Sequence, residues 1–183
     1  MLYVQDRTVQ LWPNGAGSTT QVAISPTTAT TADFDWRVSI ATIDSESPFS
    51  RFDGVDRWLM PLSLDGMTLR VEGETTRLAG REAFAFSGES TISTIRVRES
   101  SLDLNLMVRR HFARGSLLAL VVHGDTEVAA SDDEAVVIVV LEGMPSVDGA
   151  KLELLDAAEL PPGTSIVVSG EAVLAVARVT RRS

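Results

Sequence analysis

The sequence predicts an all-β fold, built as barrels or a sandwich. Nearly every apolar run is short and rich in Val, Ile, Leu and Thr, each is bounded by Gly, Pro, Asp or Ser, and the runs recur at short, regular spacing. No window of helical length holds a convincing i, i+3, i+4 apolar stripe; Leu152–Leu160 offers at most a turn or two of helix.

In chain order the expected strands are Val9–Trp12, Thr19–Ser25, Trp36–Ile43, Trp58–Leu64, Met67–Glu72, Ala83–Phe86, Thr91–Arg98, Leu102–Arg109, Leu117–His123, Ala135–Glu142, Ser165–Ser169 and Ala172–Val179. Leu64-Asp-Gly-Met67 joins two of them through an Asp-Gly pair, whose residues both tolerate positive φ, and this is a strong short-range hairpin signal. Ser87-Gly-Glu89 and Ser169-Gly-Glu171 read as similar tight connections. His123–Asp133 is the most loop-like stretch, so the expected division is a first unit over 1–123 and a second, smaller unit over 134–183.

Composition narrows the function. Hydrophobic residues at 44% and charged residues at 22% are ordinary for a globular protein of 183 residues. The formal charge of −9 lacks the positive field that non-specific nucleic-acid or anionic-membrane binding requires. Cysteine is absent, which removes disulfides, thiol nucleophiles and thiolate metal sites together. The first residues show no positive segment followed by an apolar core, and the longest apolar run, Ala135–Leu141, is too short to span a bilayer. A cytoplasmic protein is the expectation.

The motifs argue against several chemistries. Asn14-Gly-Ala-Gly-Ser-Thr-Thr20 lacks the Lys of a P-loop, and Thr20 stands where a dinucleotide fingerprint needs its third Gly, so a flexible strand turn is the better reading. His111 and His123 are isolated, and with no cysteine they supply no convergent metal-ligand set; no metal and no cofactor are expected. No G-x-S-x-G elbow is present. Asp132-Asp133-Glu134 reads as a solvated acidic turn.

Two strands carry a more specific signal. In Trp36–Ile43 the apolar Trp36, Val38 and Ile40 alternate with Arg37, Ser39 and Ala41; in Asp103–Arg110 alternation puts Asp103, Asn105, Met107 and Arg109 on one face. A second arginine, Arg57, follows a Gly-centred turn bracketed by aromatics and charges. If these polar faces line a barrel, desolvated Arg and Asn donors favour a carboxylate, because a guanidinium grips both of its oxygens.

The segments Trp12-Pro-Asn-Gly-Ala-Gly-Ser-Thr-Thr20, Phe34-Asp-Trp-Arg-Val-Ser-Ile-Ala41, Pro48-Phe-Ser50, Phe52-Asp-Gly-Val-Asp-Arg57, Phe84-Ala-Phe-Ser-Gly-Glu89 and Asp103-Leu-Asn-Leu-Met-Val-Arg-Arg110 together resemble the HutD/Ves family over the first 110 residues. The resemblance implies a bicupin, two small antiparallel β-barrels packed as one unit and often dimeric, with a link to histidine utilisation. It also implies a small carboxylate-bearing intermediate as ligand, urocanate and N-formylglutamate being the candidates. Two departures stand out: Ala16 replaces the middle one of three glycines, and Gly88-Glu89 replaces Gly-Asp. The expected ligand set is Asn14, Arg37, Ser39, Ser50, Arg57, Asn105 and Arg109. Since these groups bind well and transfer protons badly, the leading function is non-catalytic binding with a regulatory role. The alternatives are a metal-free cupin isomerase or lyase acting on a small acid, and a structural or stress-associated protein whose polar stripes are only surface.

Overall fold

A computed structural model describes residues 1–182. After a single 3-10 turn at Val4–Asp6 the chain is almost entirely strand and turn. The strands are β1 (Val9–Leu11), β2 (Gly17–Ser25), β3 (Trp36–Ile43), β4 (Val55–Pro61), β5 (Met67–Val71), β6 (Glu74–Leu78), β7 (Phe84–Ser87), β8 (Ile92–Ile95) and β9 (Ser101–Arg109). There follow β10 (Ala113–Ala129), β11 (Glu134–Gly143), β12 (Ser146–Val147), β13 (Ala150–Lys151), β14 (Ala157–Leu160) and β15 (Ser165–Arg181). No helix among the described residues is long and apolar enough to cross a membrane.

The strands form three sheets. The first runs β1-β2-β3-β9-β4-β7, the second β13-β12-β15-β11-β14 with β10 also paired to β15, and a small third β6-β5-β8. One face of the first sheet packs on the second: Trp36, Val38, Ile40, Met60, Leu104, Leu106 and Val108 meet Val137, Val139, Leu141, Ala175, Ala177 and Val179 in one apolar cluster. The other face of the first sheet meets the third through Ala41, Ile43, Leu59, Met67, Leu69, Leu78 and Ile92. β3 and β9 are therefore buried on both faces, which is why their sequences mix aliphatic and buried polar residues rather than alternating apolar with solvated ones.

The Asp65-Gly66 turn links β4 to β5 with Gly66 at φ +67, where an added Cβ would collide with the Leu78 carbonyl oxygen. The Asn14–Gly17 turn is a hairpin between β1 and β2, closed by the Trp12 N–H on the Gly17 carbonyl and by the Asn14 Oδ1, which accepts from the Ala16 N–H at 3.0 Å.

Three expectations change. His123–Asp133 is not a loop: β10 continues through it to Ala129, and the chain passes from the first sheet to the second earlier, at the Arg110–Phe112 turn. Ser169-Gly-Glu171 does not end a strand either. Gly170 lies opposite Gly124 in the β10–β15 register, so the two glycines occupy the same point of one ribbon, and the ladder runs past both. Leu152–Leu160 holds no helix; turns lead into β14.

Candidate functional site

The β3-β9-β4 register builds the site. Arg37 and Arg57 both lie opposite Met107, Ser39 lies opposite Asn105, and Ala41 opposite Asp103. The two arginines thus flank one residue of the central strand, about 10 Å apart at their backbones by the usual strand spacing. Their side chains point away from the second sheet, into a cavity of about 390 Å³. Asn14, Arg37, Ser39, Ser50, Arg57, Asp103 and Asn105, with Thr19 and Ser47, supply its polar lining, and Trp12, Phe49 and Phe52 are its aromatic residues.

Arg57 is 8% exposed and held from several sides. Its Nη1 donates to the Ser50 carbonyl at 3.1 Å and its Nη2 to Asn105 Oδ1 at 3.5 Å. Its guanidinium carbon lies 4.9 Å from the Phe86 ring centroid, 5.3 Å from Phe49 and 5.6 Å from Phe52. Burial lowers its pKa to about 10; Asp103 opposes that shift and Arg37 adds to it. Arg37, at 7% exposed, also has its pKa lowered by burial. No ion pair among the described residues involves either arginine.

Asp103 is fully buried in the wall of the same cavity. Asn105 Nδ2 donates to its Oδ1, while Oδ2 has no partner. Desolvation pushes its pKa up to about 7, against the pull of Arg57, Asn105 and the Ala41 backbone. Arg37 Nε, Arg57 Nε and Asp103 Oδ2 are all buried without a hydrogen-bond partner, and all three belong to residues that line this one cavity. Native proteins rarely leave such groups unpaired.

Of the seven expected ligand residues, six line the cavity: Asn14, Arg37, Ser39, Ser50, Arg57 and Asn105. Asn14 is braced there by its Nδ2 bond to Ser47 Oγ at 3.0 Å. Arg109 is not among them. Although it shares the face of Met107, it lies at the end of β9 beyond the cavity, over the Phe34 ring, with its nitrogens donating to the carbonyls of Phe34, Ala32 and Asp53. It fastens a loop. The residue that the sequence reading passed over is Asp103, which the same alternation had put on the same face as Asn105.

Glu89, the second departure from the resembled pattern, holds the turn beside Phe52. Its Oε1 accepts from the Gly54 N–H at 2.8 Å and its Oε2 pairs with Arg110 Nη2 at 3.0 Å; Arg110 also reaches Asp56 at 2.8 Å. These contacts with Arg110, Ser87 and Gly54 hold its carboxyl well below the usual carboxylate range. Among the described residues, no group of three His, Cys, Asp or Glu is placed to hold a metal ion.

The HutD family model matches residues 4–181. The chain belongs to the HutD family. It is 40% identical to Protein Ves of Citrobacter koseri over 106 residues, which is 56% of this chain and 53% of that protein. It is 38% identical over 108 residues to an uncharacterised 21.2 kDa protein in the hutC 3' region of Pseudomonas putida, covering 58% and 56%. These matches span about half the length of the curated relatives. The structure of HutD from Pseudomonas fluorescens SBW25, in a formate condition, superposes with a TM-score of 0.83 at 27% identity, over 100% of this chain and 98% of that one. A cupin 2 conserved barrel domain protein from Leptotrichia buccalis shares the fold, with a TM-score of 0.54 at 11% identity over 90% and 88% of the two chains. The fold of this HutD-family chain is thus all-β and cupin-like.

Proposed function

We propose that this chain is a bicupin that binds a small carboxylate in its first barrel and acts as a non-catalytic, regulatory protein, as a homodimer, in histidine utilisation. The observation that carries the reading is the pairing of two buried guanidinium groups, neither with an ion-pair partner, across one cavity in a protein of net charge −9. Holding two desolvated cations without a salt-bridge partner is costly, and a bound anion repays the cost. A cavity of about 390 Å³ suits a small molecule. The relative in the hutC 3' region supports the pathway, with urocanate and N-formylglutamate as the acids to test, and the formate condition of the HutD structure adds formate as the smallest probe.

A second reading, a metal-free isomerase or lyase acting on a small acid, gains support from Asp103. Its pKa of about 7 is what proton transfer near neutral pH needs, a property the Arg, Asn and Ser of the polar stripes do not have. The reading as a purely structural protein is weakened, because it needs the polar stripes of β3 and β9 on the surface and both border a cavity.

Thermal shift followed by calorimetry tests the main proposal. An acid at a hundred times its dissociation constant stabilises the fold by about 2.7 kcal/mol. Each charge-assisted contact contributes roughly 1.5–3 kcal/mol, so Arg37→Ala and Arg57→Ala are each expected to weaken binding about tenfold or more. Binding by neither wild type nor variants, or equal binding by all three, rejects the site. Turnover of a bound acid by the wild type, lost in Asp103→Asn, replaces the binding role with the enzymatic one.

A further inference from the structure

Asp103 is in the wrong place for a simple anion site. A carboxylate ligand between Arg37 and Arg57 would share a poorly solvated space with the carboxylate of Asp103, and two like charges there cannot both persist cheaply. The groups acting on Asp103 are Arg57 from β4, the Ala41 backbone of β3 and Asn105 on its own strand, and Arg37 is the other charged group of the cavity; the lining contributed by the 12–14 turn, β2 and the 47–52 segment holds Trp, Pro, Asn, Thr, Ser and Phe only. No histidine, lysine, glutamate or tyrosine lines the cavity among the described residues, so Asp103 is the one group there positioned to answer an incoming negative charge near neutral pH. Its Oδ2, to which nothing donates, is the atom open to a proton.

Resting on the carboxylate-site reading, we propose that anion binding in this cavity is proton-coupled: filling it drives a proton onto Oδ2 of Asp103, leaving Arg37 and Arg57 to the ligand. The proton comes from solvent, no covalent bond to the ligand forms, and release of the acid returns it. Occupancy thereby depends on pH. Free Asp103 titrates at about 7, so a bound anion raises its affinity for a proton from there. Between that pH and the higher value Asp103 takes in the complex, the observed affinity falls about tenfold per unit, whereas an acid that is already ionised gives no such dependence by itself.

Calorimetry of the wild type at about pH 8 in two buffers of different ionisation enthalpy counts the protons. The probe is whichever of formate, urocanate and N-formylglutamate binds tightest. We expect uptake of about one proton per acid bound, absent in Asp103→Asn, whose affinity stays flat with pH. Because Asn keeps the acceptor for Asn105, the variant also subtracts protons that belong to the ligand. Should it not fold, the infrared difference spectrum of the wild type serves instead, and a protonated carboxyl C=O band should grow on binding. Binding without proton uptake, or without that band, overturns the coupling and leaves the carboxylate site standing. Equal uptake by Asp103→Asn overturns the assignment to Asp103. Failure of all three acids to bind the wild type removes the site and the coupling together.

Discussion

The outward faces of the first and second sheets make a controlled comparison within one chain. In the second, Val136, Ile138 and Val140 of β11 and Leu174 and Val176 of β15 cluster with Val122, Leu152, Leu160 and Val168 in an aliphatic interior. In the first, the central strands β3, β9 and β4 present Arg37, Ser39, Asp103, Asn105 and Arg57, and the 12–14 turn and the 47–52 segment border a cavity above them. Backbone architecture is similar; side-chain chemistry is opposite. The difference teaches that the strand framework does not create the hollow. The hollow lies where the sheet presents buried charged and polar side chains, above the apolar layer from Trp36 to Val179.

The largest effect expected from breaking this comparison is on the filled side. Leu174 is fully buried in the aliphatic interior, and Leu174→Ala should cost about 2–5 kcal/mol in urea or thermal unfolding. Acid affinity measured on the remaining folded protein should not change. A parallel loss of affinity would show that the two faces are not separable.

A pH titration of stability sharpens the polar side. The folded-state pKa of Asp103, about 7, lies above its ordinary value of 3.8, so the folded state holds this proton more tightly than the unfolded chain does. Its contribution to stability is present in full below the unfolded value and is lost as pH rises through about 7. Asp103→Asn should flatten that part of the profile in chemical denaturation. An unchanged slope would mean that the carboxyl is solvated.

The smallest effect on stability belongs to Arg37→Met. It replaces a buried cation that has no ion-pair partner with an apolar chain of similar length, so the melting temperature should stay level or rise slightly while acid binding is lost. A marked fall in melting temperature would assign Arg37 to the fold rather than to a ligand.

Much of this contrast was legible in the sequence. Strict alternation in Trp36–Ile43 put Trp36, Val38 and Ile40 in the core, at 4%, 0% and 5% exposed, and set Arg37 and Ser39 on the opposite face that lines the cavity. Alternation says which face a residue occupies, not how far along the strand a cavity extends, and so Arg109 shared the face of Met107 without reaching the site. Asp103 was visible on the same stripe, but its shifted pKa follows from complete burial, which only the three-dimensional packing of the first sheet supplies. Gly170, and Gly124 inside the His123–Asp133 stretch, are ambiguous in sequence for a related reason. Glycine reads locally as a turn, whereas two glycines in register let one long ribbon continue. The short strands β6, β12 and β13 carried too little apolar pattern to be read at all.

The most direct test of the carboxylate site is a crystal structure of the protein grown with whichever of formate, urocanate and N-formylglutamate stabilises it most. The account predicts the acid in the cavity bounded by Trp12, Phe49 and Phe52, with its carboxylate oxygens within hydrogen-bond distance of both Arg37 and Arg57. An acid seated elsewhere on the chain, or a cavity holding only water at saturating acid, would contradict it.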